Sequence, residues 1–141
     1  MFFGKRPTGI ALGLGLIGAT LTSGAMADSF TGKANAVCAA VSVIACTDKM
    51  VCMQGNAHTF ELPAFMFIDV KKNTIRAADA SMKGYTSPIK TKEITDTSVI
   101  LQGYENHRGW TAAIDRTDGS LNLSSTGPDV NFMITGNCTA L

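Results

Sequence analysis

Hydrophobic and polar residues alternate most regularly in the last third of the chain. Every second residue is apolar in three consecutive segments, and this period is typical of β-strands with one buried face. The apolar positions are Trp110, Ala112 and Ile114, then Leu121 and Leu123, then Val130, Phe132 and Ile134. Thr117-Asp118-Gly119 joins the first two segments and indicates a hairpin, because Asp-Gly tolerates positive φ angles. We predict three antiparallel strands with Trp110 on the inner face.

The first half of the chain has a longer apolar segment. Ala36–Cys46 is rich in β-branched residues and predicts a strand buried on both faces, with an Ala-rich helix as the alternative. Thr47–Met50 is predicted as a turn, after which Val51–Met53 resumes the strand. The preceding segment, Asp28–Asn35, is small and polar and predicts a loose lead.

Shorter segments between these regions also have strand character. They are His58–Leu62, Ala64–Val70, Thr74–Ala78, Pro88–Glu93 and Ser98–Gln102. Pro63 is expected at an edge or bulge, and the polar stretch Asp79–Pro88 is predicted to be a loop. About nine strands spaced roughly 8–12 residues apart indicate an all-β fold, a small antiparallel β-barrel or sandwich.

The first 27 residues have the composition of a secretory signal peptide. Lys5 and Arg6 precede an uncharged stretch, Gly9–Leu21, and Ala25-Met26-Ala27 supplies a small-x-small cleavage pattern. We expect Sec-type export with cleavage between Ala27 and Asp28, which leaves one β domain over residues 28–141 in the periplasm or outside the cell. No later apolar run approaches the roughly 20 residues of a spanning helix, so no stable membrane anchor is expected.

All four cysteines lie in the exported part, where two disulfides are expected. Their spacing lacks the Cys-x₂₋₄-Cys pattern of a zinc site, so no metal is assigned to them. Three pairings are possible. The preferred one joins Cys46 to Cys52 across a short turn and Cys38 to Cys138 between the first and last strands, which a closed barrel places side by side.

Charge argues against nucleic-acid partners. Without Lys5 and Arg6, ten basic residues face eleven acidic ones, and the signs are interspersed. Nucleic-acid-binding proteins usually carry a basic patch or stripe, and none is visible here.

Several short motifs together resemble a group of small exported proteins of unknown function in Gram-negative bacteria. The motifs are Cys46-x₅-Cys52-x₂-Gly55, Leu62-Pro63, Ser87-Pro88-Ile89, Leu101-Gln102-Gly103, Arg108-Gly109-Trp110, Ile114-Asp115 and Gly136-x-Cys138. The resemblance covers nearly the whole mature domain and implies no particular activity. A looser likeness links the chain to the small, disulfide-bonded β-barrel inhibitors of lysozyme. Their binding-loop motif has no match here, so no inhibitory residue is assigned.

The densest polar and aromatic segment is Gln102–Trp110, and it supplies the candidate binding residues Tyr104, Glu105, His107 and Arg108. In one interpretation Glu105 and His107 form an acid–base pair, and Tyr104 and Trp110 form a sugar-stacking face. In the favoured interpretation the segment is a solvated hairpin tip, with Trp110 in the core and with Glu105 and His107 in water.

A copper site is a further hypothesis. Met50, Met53 and His58 offer thioether and imidazole ligands, and Met66, Met82 and Met133 are possible additions. Packing is the favoured explanation, because Met66 and Met133 lie on strand faces where methionine commonly fills gaps in the core. No metal or other cofactor is therefore predicted.

No catalytic motif is present: Gly-x-Ser-x-Gly is absent, and no glycine-rich phosphate loop precedes a helix. The sequence therefore favours a non-enzymatic binding or interaction module, with an unidentified ligand or protein partner at Glu105–Arg108 and Asp79–Tyr85. The alternatives are an inhibitor of a cell-wall-degrading enzyme and a copper- or metal-handling protein.

Overall fold

Nine β-strands account for most of the computed structural model, which describes residues 30–79, 82 and 84–141. The strands are β1 (Ala36–Thr47), β2 (Cys52–Gly55), β3 (Phe65–Asp69), β4 (Thr74–Ala77), β5 (Thr86–Ile94), β6 (Ser98–Glu105), β7 (Arg108–Asp115), β8 (Ser120–Thr126) and β9 (Val130–Ala140). The predicted signal peptide, residues 1–27, lies outside the described residues.

Eight of these strands close into an antiparallel barrel. The order runs from β1 through β3 to β9, each strand antiparallel to the next, and β9 pairs with β1 to complete the ring. The β2 strand lies beside the C-terminal half of β1, on the edge whose N-terminal half pairs with β3. Closure leaves no free edge in the ring. The expected all-β fold is confirmed, and it is a barrel.

The barrel has two different ends. At the closed end, β1 begins, β9 ends, and hairpins join β3 to β4, β5 to β6 and β7 to β8. At the open end lie the β1–β2 and β6–β7 hairpins, together with the β4–β5 and β8–β9 connections.

The predicted alternation is confirmed in β7, β8 and β9. Ala112 and Ile114 are fully buried, and Leu121, Leu123 and Ile134 are almost completely buried. These side chains form the core with inward residues of β1, β3 and β6.

The β1 strand is not buried on both faces as predicted, nor is it helical. The side chains of Ala36, Cys38, Val43 and Ala45 are buried, whereas Val41 is 68% exposed. The buried positions change from even to odd numbers because the register with β9 shifts between Ala40 and Ser42, where β1 bulges. An extra residue at a bulge exchanges the two faces of a strand.

The segment His58–Leu62 is not a strand. A short 3₁₀ helix, Ala57–Phe60, occupies it. The Asn56 Oδ1 atom accepts a hydrogen bond from the Thr59 amide (3.0 Å), and the Thr59 hydroxyl accepts one from the Asn56 amide (3.3 Å). Reciprocal capping of this kind gives the backbone an alternative to strand pairing.

The residues before β1 are not a loose lead where the structure describes them. Phe30 is fully buried in the core, and Gly32 packs against Ile94 and Val99 at the closed end. Asn35 fixes this segment, because its side chain accepts a hydrogen bond from the Val70 amide (3.0 Å) and its carbonyl accepts one from the Leu141 amide (2.9 Å). The N-terminal segment therefore fills one end of the barrel.

Both predicted disulfides are confirmed. Cys38–Cys138 joins β1 to β9 inside the barrel, with both residues at most 2% exposed. Cys46–Cys52 joins β1 to β2 at the open end, where Cys52 is exposed. Disulfides persist in oxidising compartments, so the pair indicates an extracytoplasmic environment.

Candidate ligand-binding site

The open end of the barrel contains a cavity of about 470 Å³. Inward-facing side chains of the strands from β3 to β9 line it, and the segment Phe60–Pro63 lies against one side. The apolar lining includes Met66, Ala77, Trp110, Leu123 and Phe132. An eight-stranded barrel has an interior just wide enough for side chains to fill or for one small ligand. Here the closed half is filled with side chains, and the open half is hollow.

Trp110 is the largest side chain in the cavity wall, and two neighbours fix its position. Its Nε1–H donates a hydrogen bond to the Ser87 hydroxyl at 2.7 Å. Gly103 on β6 lies opposite Trp110, and a Cβ atom there would lie 2.5 Å from the indole Cζ2 atom. The glycine therefore leaves space for the ring to cross β6 towards β5.

Arg108 occupies the inward position nearest the mouth on β7. Its Nη1 donates a hydrogen bond to the Val130 carbonyl at 2.8 Å, and its guanidinium carbon lies 5.2 Å from the centre of the Phe132 ring. A Cβ atom at Gly127 would lie 2.6 Å from Nη2, so this glycine makes room for the guanidinium group. Contacts with the β8–β9 region thus place a cation at the cavity rim.

The β6–β7 hairpin determines which of its side chains face the cavity. Asn106 and His107 have φ angles of 48° and 62°. Two successive left-handed residues are typical of a type I′ turn, which pairs Glu105 with Arg108. Both side chains consequently face inward and line the cavity.

This hairpin places two of the four candidate binding residues in the cavity and the other two outside it. Glu105 and Arg108 line the cavity, and both are half-buried. His107 is exposed at the tip and is not part of the lining. The expectation that His107 remains in water is therefore confirmed, whereas Glu105 is only partly exposed.

Tyr104 lies outside the barrel. Its side chain is 65% exposed, and the Lys90 ammonium group lies 5.2 Å from its ring centre. Trp110 points inward, although it borders the cavity instead of being fully enclosed in the core. A stacking face shared by Tyr104 and Trp110 is therefore excluded, because the two rings lie on opposite sides of the barrel wall.

The C-terminal part of the predicted loop Asp79–Pro88 forms part of the cavity mouth. Tyr85 lines the cavity, and its hydroxyl donates a hydrogen bond to the Glu61 carbonyl at 3.0 Å. Ser87, which holds Trp110, belongs to β5, since that strand begins at Thr86 and not at Pro88. Residues 80, 81 and 83 lie outside the described residues.

The proposed copper ligands are not brought into one cluster. Met66 is buried inside the barrel, whereas Met133 is 61% exposed on the outer face of β9, so the prediction that Met133 fills the core is wrong. Met50 and Met53 are exposed in the β1–β2 hairpin, and His58 is exposed in the 3₁₀ helix. Within residues 30–79, 82 and 84–141, no three His, Cys, Asp or Glu side chains are placed to hold a metal ion.

The aromatic partner Phe132, the glycine at 127 and the acceptor Ser87 were not identified as site residues from the sequence. Phe132 has the same alternating pattern as a core residue, and an inward position beside a cavity cannot be distinguished from a packed one by periodicity. The one feature of the sequence that could have indicated space beside Arg108 is the glycine at 127, in the β8–β9 connection.

No helix among the described residues is long and apolar enough to cross a membrane. Comparison of the chain with protein-family profiles, curated proteins and solved structures gives no match.

Proposed function

We propose that this protein is a non-enzymatic binding protein that holds one small, largely apolar molecule in the open end of its barrel. The cavity volume supports this proposal, since about 470 Å³ is within the roughly 300–1,000 Å³ range of small-molecule sites. Its composition also supports it, because aromatic and aliphatic walls with a few polar groups are typical of such sites.

The proposal rests mainly on the observation that the open half of the barrel is hollow. Protein interiors are otherwise closely packed, and a wide apolar space gives up contacts that a well-filled core would have. A ligand that fills the space would restore those contacts. Trp110 and Phe132 would then contact the ligand from two sides of the cavity.

Binding of Nile red, a neutral apolar dye, tests the proposal. Trp110 is the single tryptophan of the chain, so its emission reports directly on the cavity. We expect saturable binding of one dye molecule with a change in Trp110 emission. If the disulfide-bonded protein shows no saturable binding of the dye, the proposal is wrong.

A substitution that fills the cavity can be compared with a matched substitution outside the cavity. Ala77 is 6% exposed and lines the cavity, so Ala77→Phe should weaken dye binding about tenfold or more, which corresponds to about 1.4 kcal/mol. Ala113 faces away from the core on β7, so Ala113→Phe is the control and should leave binding unchanged. Unchanged binding in a folded Ala77→Phe variant would place the dye elsewhere.

We also propose that the protein reaches the periplasm or the cell exterior by Sec-type export with cleavage between Ala27 and Asp28. The small-x-small pattern of Ala25-Met26-Ala27 and the two disulfides support this proposal. The N-terminal mass of the exported protein tests the boundary, and a mature start several residues away would contradict it.

A further inference from the structure

The side chain of Arg108 has hydrogen-bonding capacity that the protein does not use. Its Nη1 donates to the Val130 carbonyl at 2.8 Å and, at 3.5 Å, to the Ser125 carbonyl. Its Nε and Nη2 atoms have no hydrogen-bond partner among the described residues, and they are not among the polar atoms sealed from solvent. These two atoms present adjacent donors, the arrangement that binds a carboxylate in bidentate fashion.

Among the described residues, Arg108 also has no ionic partner. No carboxylate in the described part of the chain lies within ion-pairing distance of it, although Glu105 is its neighbour across the hairpin. Arg76 adds no charge to the cavity, because it is exposed on the outer face of β4 and stacks there on Phe67 at 4.3 Å. Among the described residues, the inward-facing charged groups of the cavity are Arg108 and Glu105, and they do not form an ion pair with each other. Partial burial of a cation without a counter-ion is unfavourable, and an anion at this point would relieve it.

Polarity changes with depth in the cavity. On β7 the inward positions run from Arg108 at the mouth to Trp110 below it, and on β8 they run from Ser125 to Leu123. Ile134 lies deeper than Phe132 on β9 and is 7% exposed. The site is therefore charged at its rim, where Arg108 has unused donors, and apolar beneath, and this gradient matches a molecule with one charged end.

We infer that the ligand is a single-chain amphiphilic carboxylate. Its head group binds the free Nε and Nη2 donors of Arg108, and its apolar chain lies between Trp110 and Phe132. This inference rests on the proposed function, since it assigns the ligand class and the orientation within the same cavity. Arg108 thus determines specificity, while the apolar lining supplies most of the contact area.

Three probes of equal chain length and different head-group charge test the inference: decanoate, decan-1-ol and decyltrimethylammonium. Trp110 emission and isothermal titration calorimetry measure their binding to the disulfide-bonded protein, below the micelle concentration of each probe. We expect decanoate to bind roughly ten- to a hundredfold more tightly than the alcohol, as charge-assisted hydrogen bonds predict, with the ammonium compound weakest.

Substitution of Arg108 should remove the head-group preference selectively. In Arg108→Gln we expect decanoate affinity to fall to that of the alcohol, with alcohol affinity unchanged. Arg108→Lys keeps the charge and should retain part of the preference. Lys90→Gln removes an exposed cation next to Tyr104, outside the cavity, and is the matched control that should bind all three probes like the wild type.

Each result has a distinct meaning. Equal affinity of the wild type for decanoate and decan-1-ol would overturn the carboxylate inference and leave the proposed function intact. No binding of either probe would refute both. If Arg108 only ties β7 to the β8–β9 connection, Arg108→Gln will lower stability without changing head-group preference, which also overturns the inference. If Arg108→Gln does not fold, the order of the three probes in the wild type still decides the question.

Discussion

The same strands pack closely at the closed end of the barrel and surround a cavity at its open end. At the closed end Phe30 is fully buried, and the Cys38–Cys138 disulfide joins β1 to β9 within the core. At the open end the aromatic residues Phe60, Trp110 and Phe132 are only partly buried, and they surround a cavity. We therefore expect the closed half to contribute most of the stability, because it is the more closely packed half.

Removal of each disulfide should show the largest difference between the two ends. The sequence separations are 100 residues for Cys38–Cys138 and 6 for Cys46–Cys52. The chain-entropy model gives about 4.7 kcal/mol for the long loop and about 2 kcal/mol for the short one. We expect this difference between Cys38→Ala/Cys138→Ala and Cys46→Ala/Cys52→Ala in denaturant unfolding. Equal losses would show that the closed end is not the more strongly crosslinked one.

Truncation of one phenylalanine at each end gives a second comparison. Phe30→Ala removes a fully buried ring and should lower the free energy of unfolding by about 3 kcal/mol, through lost burial and the cavity left behind. Phe60→Ala removes a half-buried ring beside an existing cavity and should cost about 1–2 kcal/mol. Thermal and denaturant unfolding measure both values. Should Phe60→Ala prove the more damaging change, the assignment of stability to the closed end would be wrong.

The two ends also differ in how far the sequence predicts them. Alternation at Ala112, Ile114 and Leu121 predicts inward positions correctly, because a strand in a closed barrel has one buried face. Phe30 was missed because a single aromatic residue in a polar segment has no periodicity. The cavity was missed because Phe132 has the pattern of a core residue, and unfilled volume depends on all eight strands together. Pairing of β1 with β9, by contrast, was predictable from Cys38 and Cys138.

Local backbone structure explains the remaining differences. The alternation at His58–Leu62 is compatible with a strand, but side-chain capping between Asn56 and Thr59 stabilises a 3₁₀ helix instead. In β1 the bulge near Val41 exchanges the two faces, which no regular two-residue period can predict. The division of Tyr104 from Trp110 was predictable, since residues separated by six positions across a two-residue turn face opposite sides.

A smaller effect is expected from the hairpin turns at the two ends. At the open end His107 has a φ angle of 62°, a conformation that is unfavourable for non-glycine residues by about 1 kcal/mol. In the β7–β8 hairpin at the closed end, the positive φ angle belongs to Gly119. We expect His107→Gly to raise the free energy of unfolding by about 0.5–1 kcal/mol. Thr117→Gly has no positive φ angle to relieve and should not stabilise the protein; stabilisation by both changes would contradict this explanation.

The smallest effect concerns acid sensitivity of the closed-end hairpin between β7 and β8. Hydrogen bonds from the Ser120 side chain and then from its amide (2.8 Å) lower the pKa of Asp118. A carboxyl group with a lowered pKa in the folded state stabilises that state above about pH 4, and the contribution is lost as the pH falls through the lowered value. Ser120→Ala removes the largest cause and should raise the Asp118 pKa, which side-chain NMR titration measures.

The pH dependence of the unfolding free energy shows whether the charged Asp118 carboxylate stabilises or destabilises the protein. Asp118→Asn should lose the pH-dependent contribution, so the difference in unfolding free energy between wild type and variant should be present near neutral pH and shrink in strong acid. Asp118 is fully exposed, so the change should be small. A difference that grows as the pH falls would mean that the charged carboxylate destabilises the hairpin. The closed end would then owe its stability to its packed core, which includes Phe30 and the buried disulfide, and not to the charge on Asp118.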